Sequence, residues 1–304
     1  MFLGPTDFLK NPEQLQRAWP REDALAYTRW LATHHYENFQ VVSFLLPKRL
    51  HQDFYNVYAF CRWSDDLGDE MGDPQESLRL LSWWRGELQA MYAGQARHPV
   101  FVALQETAAE HLLPIEPFDH LVQAFEQDQT VTRYRNFEEL FEYCRYSANP
   151  VGRLVLGLCG YHDAERQALS DATCTALQLA NFWQDVIVDL LKDRVYLPLD
   201  VMQRQGYPLE DLFARRFDDR FRGAMKEAVG VARELFLRGL PLAGQVDRRL
   251  AIDLDLFSRG GLKILEKIER QNYDVLRARP VISKTERVGL LLGAITRRAF
   301  SRAA

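Results

Sequence analysis

Leu177–Pro198 reads LQLANFWQDVIVDLLKDRVYLP. Asn181, Asp185 and Asp189 recur every four residues, and on an α-helix side chains i and i+4 stack on one face, about 5–6 Å apart at Cβ. The spacing predicts one helix carrying three oxygen-bearing groups in a single stripe. Phe182, Trp183, Val186, Ile187, Val188, Leu190 and Leu191 fill the other faces, so this helix is expected to be buried nearly all round. Unpartnered carboxylates in an apolar setting cost several kcal/mol. With no Lys or Arg adjacent, the two aspartates imply a cation between them, and Mg²⁺ suits them because it takes oxygen ligands and completes its shell with water and phosphate oxygens. The pattern also fits two solvated carboxylates on an amphipathic helix; a second constellation weighs against that.

From Leu50 to Glu70 the residues Phe54, Val57, Tyr58, Cys61 and Leu67 follow a helical period, and the helix ends in RWSDDLGDE. Asp65 and Asp69 repeat the four-residue spacing, with Asp66 and Glu70 beside them. Tyr58, Arg62 and Asp65 occupy successive turns, presenting a hydroxyl, a guanidinium and a carboxylate along one edge. Arg62 could instead pair with Asp65 or Asp66 on the surface, for a few tenths of a kcal/mol. Against that, a run of acids at a helix C-terminus opposes the helix dipole, a local cost that usually has a functional cause.

The rest of the chain reads as helix. Asp73-Pro74-Gln75-Glu76 is a helix start, with Leu78, Leu81, Trp84, Leu88 and Met91 at helical spacing behind it. Helices are expected over Pro99–Leu112, Pro117–Arg133, Asn136–Ser147, Val151–Tyr161, Asp218–Leu240 and Ile252–Leu276, and Ser283–Glu286 is a capping box for a last helix. No strand-like alternation of useful length and no repeat occurs. The expected fold is all-α, one helical bundle and one domain over 1–304, with a central cavity.

A formal charge of −4 gives no basic field, so nucleic acid is not an expected partner. Cys61, Cys144, Cys159 and Cys174 form no CxxC pair, which suits neither a disulfide framework nor a zinc site and points to a reducing cytoplasm. No uncharged apolar run approaches the ~20 residues that span a bilayer. Arg287–Arg302 mixes Leu290, Leu291, Leu292 and Ile295 with arginines; core packing with a solvated basic end is the simpler reading, and peripheral contact with an anionic membrane at the inner face is the alternative.

Two acidic stripes facing each other across a bundle would let Mg²⁺ bridge them to a diphosphate and assist ionisation of an allylic or cyclopropylcarbinyl diphosphate. Arg62 and Arg194 are the candidates for forked phosphate contacts. An apolar, aromatic cavity would then shield the carbocation.

YAFCRWSDDLGDE (58–70) and the 177–198 stretch resemble the two signatures of the squalene/phytoene synthase family, with weaker similarity in HHYENFQVVSFLLP, YCRYSANPVGRLVLGLCG and ILEKIERQNYDVLRARP. The resemblance implies the isoprenoid-synthase fold, two or three Mg²⁺ ions and head-to-head chemistry on prenyl diphosphates. By position, Asp65, Asp69, Asn181, Asp185 and Asp189 match the metal ligands. Tyr58, Arg62, Gln178, Gln184 and Arg194 match residues at or near the substrate, and His35–Asn38 falls in a substrate-binding segment, with His35 and Asn38 as its candidates. Where relatives often carry NILRD this chain has NFWQD, and Gly260-Gly261 stands near a place where they often carry tyrosine.

NFWQD and HHYENF…SFLLP resemble the bacterial hydroxysqualene synthase branch. That branch implies presqualene diphosphate as substrate, water as the quencher, no need of NADPH, and pathway neighbours that make presqualene diphosphate and reduce hydroxysqualene. On this reading, Gln184 and Gly261 leave room for one water near the cation. Squalene, dehydrosqualene or phytoene synthesis, and a non-catalytic assembly protein of the same fold, are the alternatives; the last would be expected to have lost metal ligands that are all present here.

Overall fold

The computed structural model describes residues 2–34 and 47–300, without the side chains of 298–300. Among the described residues the regular elements are helices, joined by turns and one isolated bridge between Arg133 and Val195. Contacts divide the chain into two compact units, Met1–Thr130 with Pro150–His162, and Val131–Asn149 with Asp163–Ala304.

The first unit contains α1 (Pro5–Leu9), α2 (Pro12–Gln16), α3 (Arg21–His34), α4 (His51–Asp69), α5 (Pro74–Tyr92), α6 (Pro99–Glu110) and α7 (Glu116–Gln127), and later most of a helix over Asn149–Leu158. Proline at the first turn starts α5 and α6, where its missing N–H would have no helical partner anyway, and Asp73 caps α5 by accepting from Gln75 N at 3.2 Å. Helix α4 packs against α3, α5, α6 and α7. Its inner face carries Phe54, Val57, Phe60, Trp63 and Leu67, all buried. Trp63 stacks on Trp84 at 5.1 Å between ring centroids, and the two indole N–H groups donate to Tyr27 Oη and Ser64 Oγ at 3.0 Å each. Buried Asn56 accepts from Thr28 Oγ1 at 2.6 Å and donates to Ala103 O at 3.1 Å and Thr107 Oγ1 at 3.0 Å. These bonds fix the register of α4 against α3 and α6, because an unmade partner would leave a buried polar group desolvated. The rotation of the acidic end of α4 follows from that register.

The second unit contains α8 (Phe137–Ser147), α10 (Ala164–Gln184), α11 (Val186–Leu191), α12 (Leu199–Arg204), α13 (Leu209–Phe213), α14 (Asp219–Gly239), α15 (Arg248–Arg270) and α16 (Lys284–Phe300), the helix at 149–158 being α9. Helix α10 lies along α14, α15 packs on both, and α16 packs on α15. A Cβ at Gly239 would sit 2.1 Å from Thr173 Oγ1, so the close approach of α14 to α10 depends on that glycine. Asp218 caps α14, and the capping box of α16 is complete: Ser283 N donates to Glu286 Oε2 at 2.8 Å and Glu286 N to Ser283 Oγ at 3.3 Å. At α8, Asn136 accepts from Glu139 N at 3.0 Å, but Glu139 reaches one residue further back, accepting from Arg135 N at 2.7 Å.

Helix α15 ends at Arg270 rather than at Leu276, because Asn272 and Tyr273 take left-handed conformations with φ of 57° and 64°. Asparagine tolerates that region, so the QN dipeptide is a stop the apolar periodicity concealed. No described helix is long and apolar enough to cross a membrane.

Candidate active site

The first constellation occupies the last three turns of α4. Tyr58 is buried, Arg62 and Asp65 are half-buried, and Asp69 is exposed, so the stripe runs from the interior outward. Asp66, the next residue, is only 4 % exposed. Arg62 pairs with both neighbours, through Nη2 with Asp66 and through Nη1 with Asp65 at 3.4 Å. The two readings of Arg62 therefore merge: Asp66 is the buried partner that holds the guanidinium at the edge where Asp65 lies. Burial opposes the charge on Arg62, yet Asp66 and Asp65 raise its pKa above the ordinary value, so it stays cationic. Burial also raises the Tyr58 phenol, against the opposing effect of Arg62, which keeps it a neutral donor. Where α4 approaches α7, a Cβ at Gly68 would meet the Phe125 ring at 2.9 Å, so glycine is required beside the acidic end. A cleft of about 670 Å³ in this unit, lined by Trp19, Trp83 and His98 among others, reaches the motif only at Glu70 and Met71; Tyr58, Arg62 and Asp65 are not in its lining.

The second constellation departs from one continuous helix. Asp185, at φ −105° and ψ 14°, ends α10 and begins α11. The stripe survives because Asp185 N still donates to Asn181 O at 2.8 Å and Asp189 N to Asp185 O at 2.9 Å, preserving the four-residue register across the break. Nor is the helix buried all round. Asn181 is exposed, Asp185 and Asp189 are half-buried, and Val188 and Leu191 are 45 % and 76 % exposed. The buried face consists of Leu179, Phe182, Trp183 and Val186, with Phe182 stacked on Tyr196 at 3.6 Å. Gln178 is half-buried one turn before Asn181.

Beyond α11 the chain reverses at Asp193, whose φ is 55°, and Arg194 N returns to donate to Asp189 O at 2.9 Å. Arg133 Nη2 holds Asp193 Oδ1 at 2.6 Å, and Val195 N donates to Thr132 O at 2.9 Å. The DRVYLP turn thus brings Arg194 back beside Asp189; the two line one small recess with Phe182 and Tyr196.

Asp185 has a basic partner after all. Arg279, remote in sequence, forms a two-pronged ion pair with it, Nε to Oδ1 and Nη2 to Oδ2 at 3.1 Å. This corrects the expectation that no basic group stands by the aspartates. The only sequence signal was the clustering of Arg277 and Arg279 in RARP, which locates a basic segment without saying what it meets. Next to this pair, the buried Gln184 Nε2 donates to Pro280 O at 2.5 Å. Two adjacent residues of the helix end therefore clasp two adjacent residues of the 271–283 segment, and the Gln184 amide is engaged there.

The niche expected at Gly261 is filled. A Cβ there would lie 2.1 Å from Phe236 Cζ, and Phe236 is wholly buried. The missing side chain of Gly261 makes room for the Phe236 ring of α14, not for a water. His35 and Asn38 lie outside the described residues.

Each donor set by itself is of a kind that suits Mg²⁺: Asp65 and Asp69 in the first unit, and Asn181, Asp185 and Asp189 in the second, offer only hard oxygens, with no thiol or imidazole among them. Among the described residues no three His, Cys, Asp or Glu side chains come together as a group that could hold a metal by themselves. An ion that takes several of its oxygens from water and substrate phosphate does not require one.

The squalene/phytoene synthase family matches residues 32–286, which include both acidic constellations. The chain belongs to the squalene/phytoene synthase family. Among its relatives in that family, the hydroxysqualene synthase of Zymomonas mobilis subsp. mobilis is 32% identical over 277 residues, spanning 88% of this chain and 90% of that protein. The phytoene synthase of Thermus thermophilus is 33% identical over 284 residues, 93% of this chain and 94% of that one. Among solved structures, squalene synthase HpnC from Alicyclobacillus acidocaldarius superimposes with a TM-score of 0.80 at 46% identity, covering 83% of this chain and 95% of that chain. A dehydrosqualene synthase in complex with ligand, at 23% identity and a TM-score of 0.81, shares the fold over 97% of this chain and 100% of its own. The fold is the all-α isoprenoid-synthase fold, and the family is one of head-to-head prenyl diphosphate synthases.

Proposed function

We propose that the protein is a Mg²⁺-dependent hydroxysqualene synthase, converting presqualene diphosphate and water into hydroxysqualene and diphosphate. The observation that carries this reading is the pair of oxygen-rich stripes, each running along the accessible face of a helix whose opposite face is packed. The 46% identity to a squalene synthase supports a farnesyl-derived substrate.

In this reading Asp65 and Asp69 of the first unit and Asn181, Asp185 and Asp189 of the second supply metal-ligating oxygens. The bound ions contribute charge neutralisation at the departing diphosphate. Arg62 keeps its charge because Asp66 and Asp65 stabilise it, and it offers a forked donor to phosphate. Tyr58 remains protonated and donates. Arg194, returned to the backbone of Asp189 by the Asp193 turn, and Arg279, seated on Asp185, add two further guanidinium groups, and Gln178 adds an amide one turn before Asn181. Gln184 acts on the substrate only indirectly, by anchoring Pro280 and with it Arg279. His35 and Asn38 complete the substrate contacts that family membership suggests.

The test is incubation of the purified protein with Mg²⁺ and, in separate reactions, presqualene, farnesyl or geranylgeranyl diphosphate in H₂¹⁸O, with and without NADPH, followed by mass spectrometry. An ¹⁸O-labelled C30 alcohol formed without NADPH is the expected product. A hydrocarbon formed only with NADPH, or a C40 product from geranylgeranyl diphosphate, would replace this reading with squalene or phytoene synthesis. No turnover of any prenyl diphosphate would leave the assembly-protein alternative.

A further inference from the structure

Helix α16 is amphipathic with its faces reversed from the usual arrangement. Its inner side, against α15, carries charge: Glu286 pairs with Lys267 at 2.9 Å, and Arg297 binds the buried Asp255 with Nη2 at 2.6 Å and Nε at 3.0 Å. Leu290 and Ala294 fill the space between those pairs. The apolar stripe lies on the opposite side. Val288, Leu291, Leu292 and Ile295 fall within about 60° of one line at 100° per residue. Val288 and Leu292 are 57% and 58% exposed, and Leu291 and Ile295 are partly exposed. The helix thus packs on α15 through Leu290, Ala294 and the Arg297–Asp255 pair, while Val288 and Leu292 face outward.

The described charge at the start of the stripe is basic. Lys284 and Arg287 stand there against the single acid Glu286. Glu286 and Arg297 are used internally, while Lys284 and Arg287 are exposed at the start of the helix. Val281, 54% exposed, extends the apolar surface to within two residues of Arg279. An exposed apolar stripe with exposed Lys284 and Arg287 at its start matches an anionic lipid surface, in which the apolar side chains enter the acyl boundary and the cations meet the headgroups. A second copy of this chain, with a net charge of only −4 spread over 304 residues, lacks the dense anionic face that such a lipid surface presents.

We propose that α16 seats the protein on an anionic bilayer, with Val288, Leu291, Leu292 and Ile295 entering the membrane and Lys284 and Arg287 contacting its headgroups. The surface is distinct from the catalytic proposal, and its test needs no turnover. The full chain is sedimented with vesicles of phosphatidylglycerol and phosphatidylethanolamine, and separately with vesicles of phosphatidylcholine. Binding is expected to the first and not the second, and to weaken with added salt. Val288→Asp with Leu292→Asp should weaken binding roughly tenfold or more, and Lys284→Glu with Arg287→Glu should abolish the preference for anionic lipid. Both pairs lie on the surface, and an unchanged thermal midpoint confirms that the variants fold. No sedimentation with anionic vesicles, or equal sedimentation of wild type and the Asp variant, overturns the proposal. So does a wild-type dimer in light scattering that the Asp variant converts to monomer, since the stripe would then be an interface between copies.

Discussion

Asp185 stands between two cations, the Arg279 guanidinium that pairs with it and the divalent ion it is proposed to bind. Arg279 is 49% exposed in this pair, so the pair contributes less than about 1 kcal/mol to stability. Its competition with a metal is of similar size. Arg279→Gln should leave the unfolding midpoint nearly unchanged, tighten Mg²⁺ binding without substrate by roughly fivefold in calorimetric titration, and lower kcat/KM for the diphosphate. The acids themselves separate into two classes by burial. Asp65→Asn, Asp185→Asn or Asp189→Asn should each reduce kcat/KM by about 10²-fold or more at nearly unchanged stability. Asp66→Asn should do something different: it leaves Arg62 with a weakened inner partner and costs about 1–3 kcal/mol in urea unfolding. Equal stability losses across all four would contradict the assignment of Asp66 as the structural member. Burial was not readable at these positions, since Asp65 and Asp66 are adjacent and chemically identical. Only the rotation of α4, fixed by the Asn56 and Trp63 hydrogen bonds, tells them apart.

Among the elements, what is local was legible and what is tertiary was not. The four-residue spacing of Asn181, Asp185 and Asp189, the Asp73 cap and the Ser283–Glu286 box are properties of one turn or two, and each appears where the spacing places it. The break at Asp185 was hidden because its hydrogen bonds keep the helical register while its own dihedrals leave it. Gly261 shows the limit most clearly: a small residue in the chain does not reveal whether its space is empty or occupied. Gly261→Ala should destabilise the protein by about 1–3 kcal/mol, since its Cβ would drive into the Phe236 ring. Pairing it with Phe236→Leu should recover part of that loss in chemical denaturation. A neutral Gly261→Ala would show that the ring moves freely and that the α14–α15 contact is loose. The orientation of α16 was likewise illegible, because periodicity gives the two faces of a helix without saying which one meets the core. Asp255 decides it by capturing Arg297.

At the scale of the whole molecule, stability should depend on one buried imidazole. His98 caps α6 through Nδ1, which accepts from Val100 N at 3.4 Å, and lies edge-on to Trp63 at 4.5 Å and Trp84 at 5.0 Å. Burial pushes its pKa from 6.5 down to about 3. The unfolded chain therefore binds a proton that the folded chain refuses, so stability present above pH 6.5 is lost progressively as pH falls toward 3. Between pH 6.5 and 5 this amounts to about 2 kcal/mol. His98→Asn retains a capping acceptor and cannot titrate, so its urea midpoint should fall less over that interval than the wild type's. Parallel midpoints would place the acid sensitivity elsewhere. The fold class was readable throughout, because helical period and caps recur along the chain. The Asp185–Arg279 pair was not, because its members lie on separate elements far apart in sequence. That clasp has a practical consequence for shortening the chain. A cut before Arg279 strips Asp185 of its counter-ion and leaves the buried Gln184 amide without an acceptor, so lost turnover would say nothing about the final helix. Trimming after Ile282 keeps the clasp but takes Arg297 from the buried Asp255, so point changes at Val288 and Leu292, not deletion, separate anchoring from catalysis.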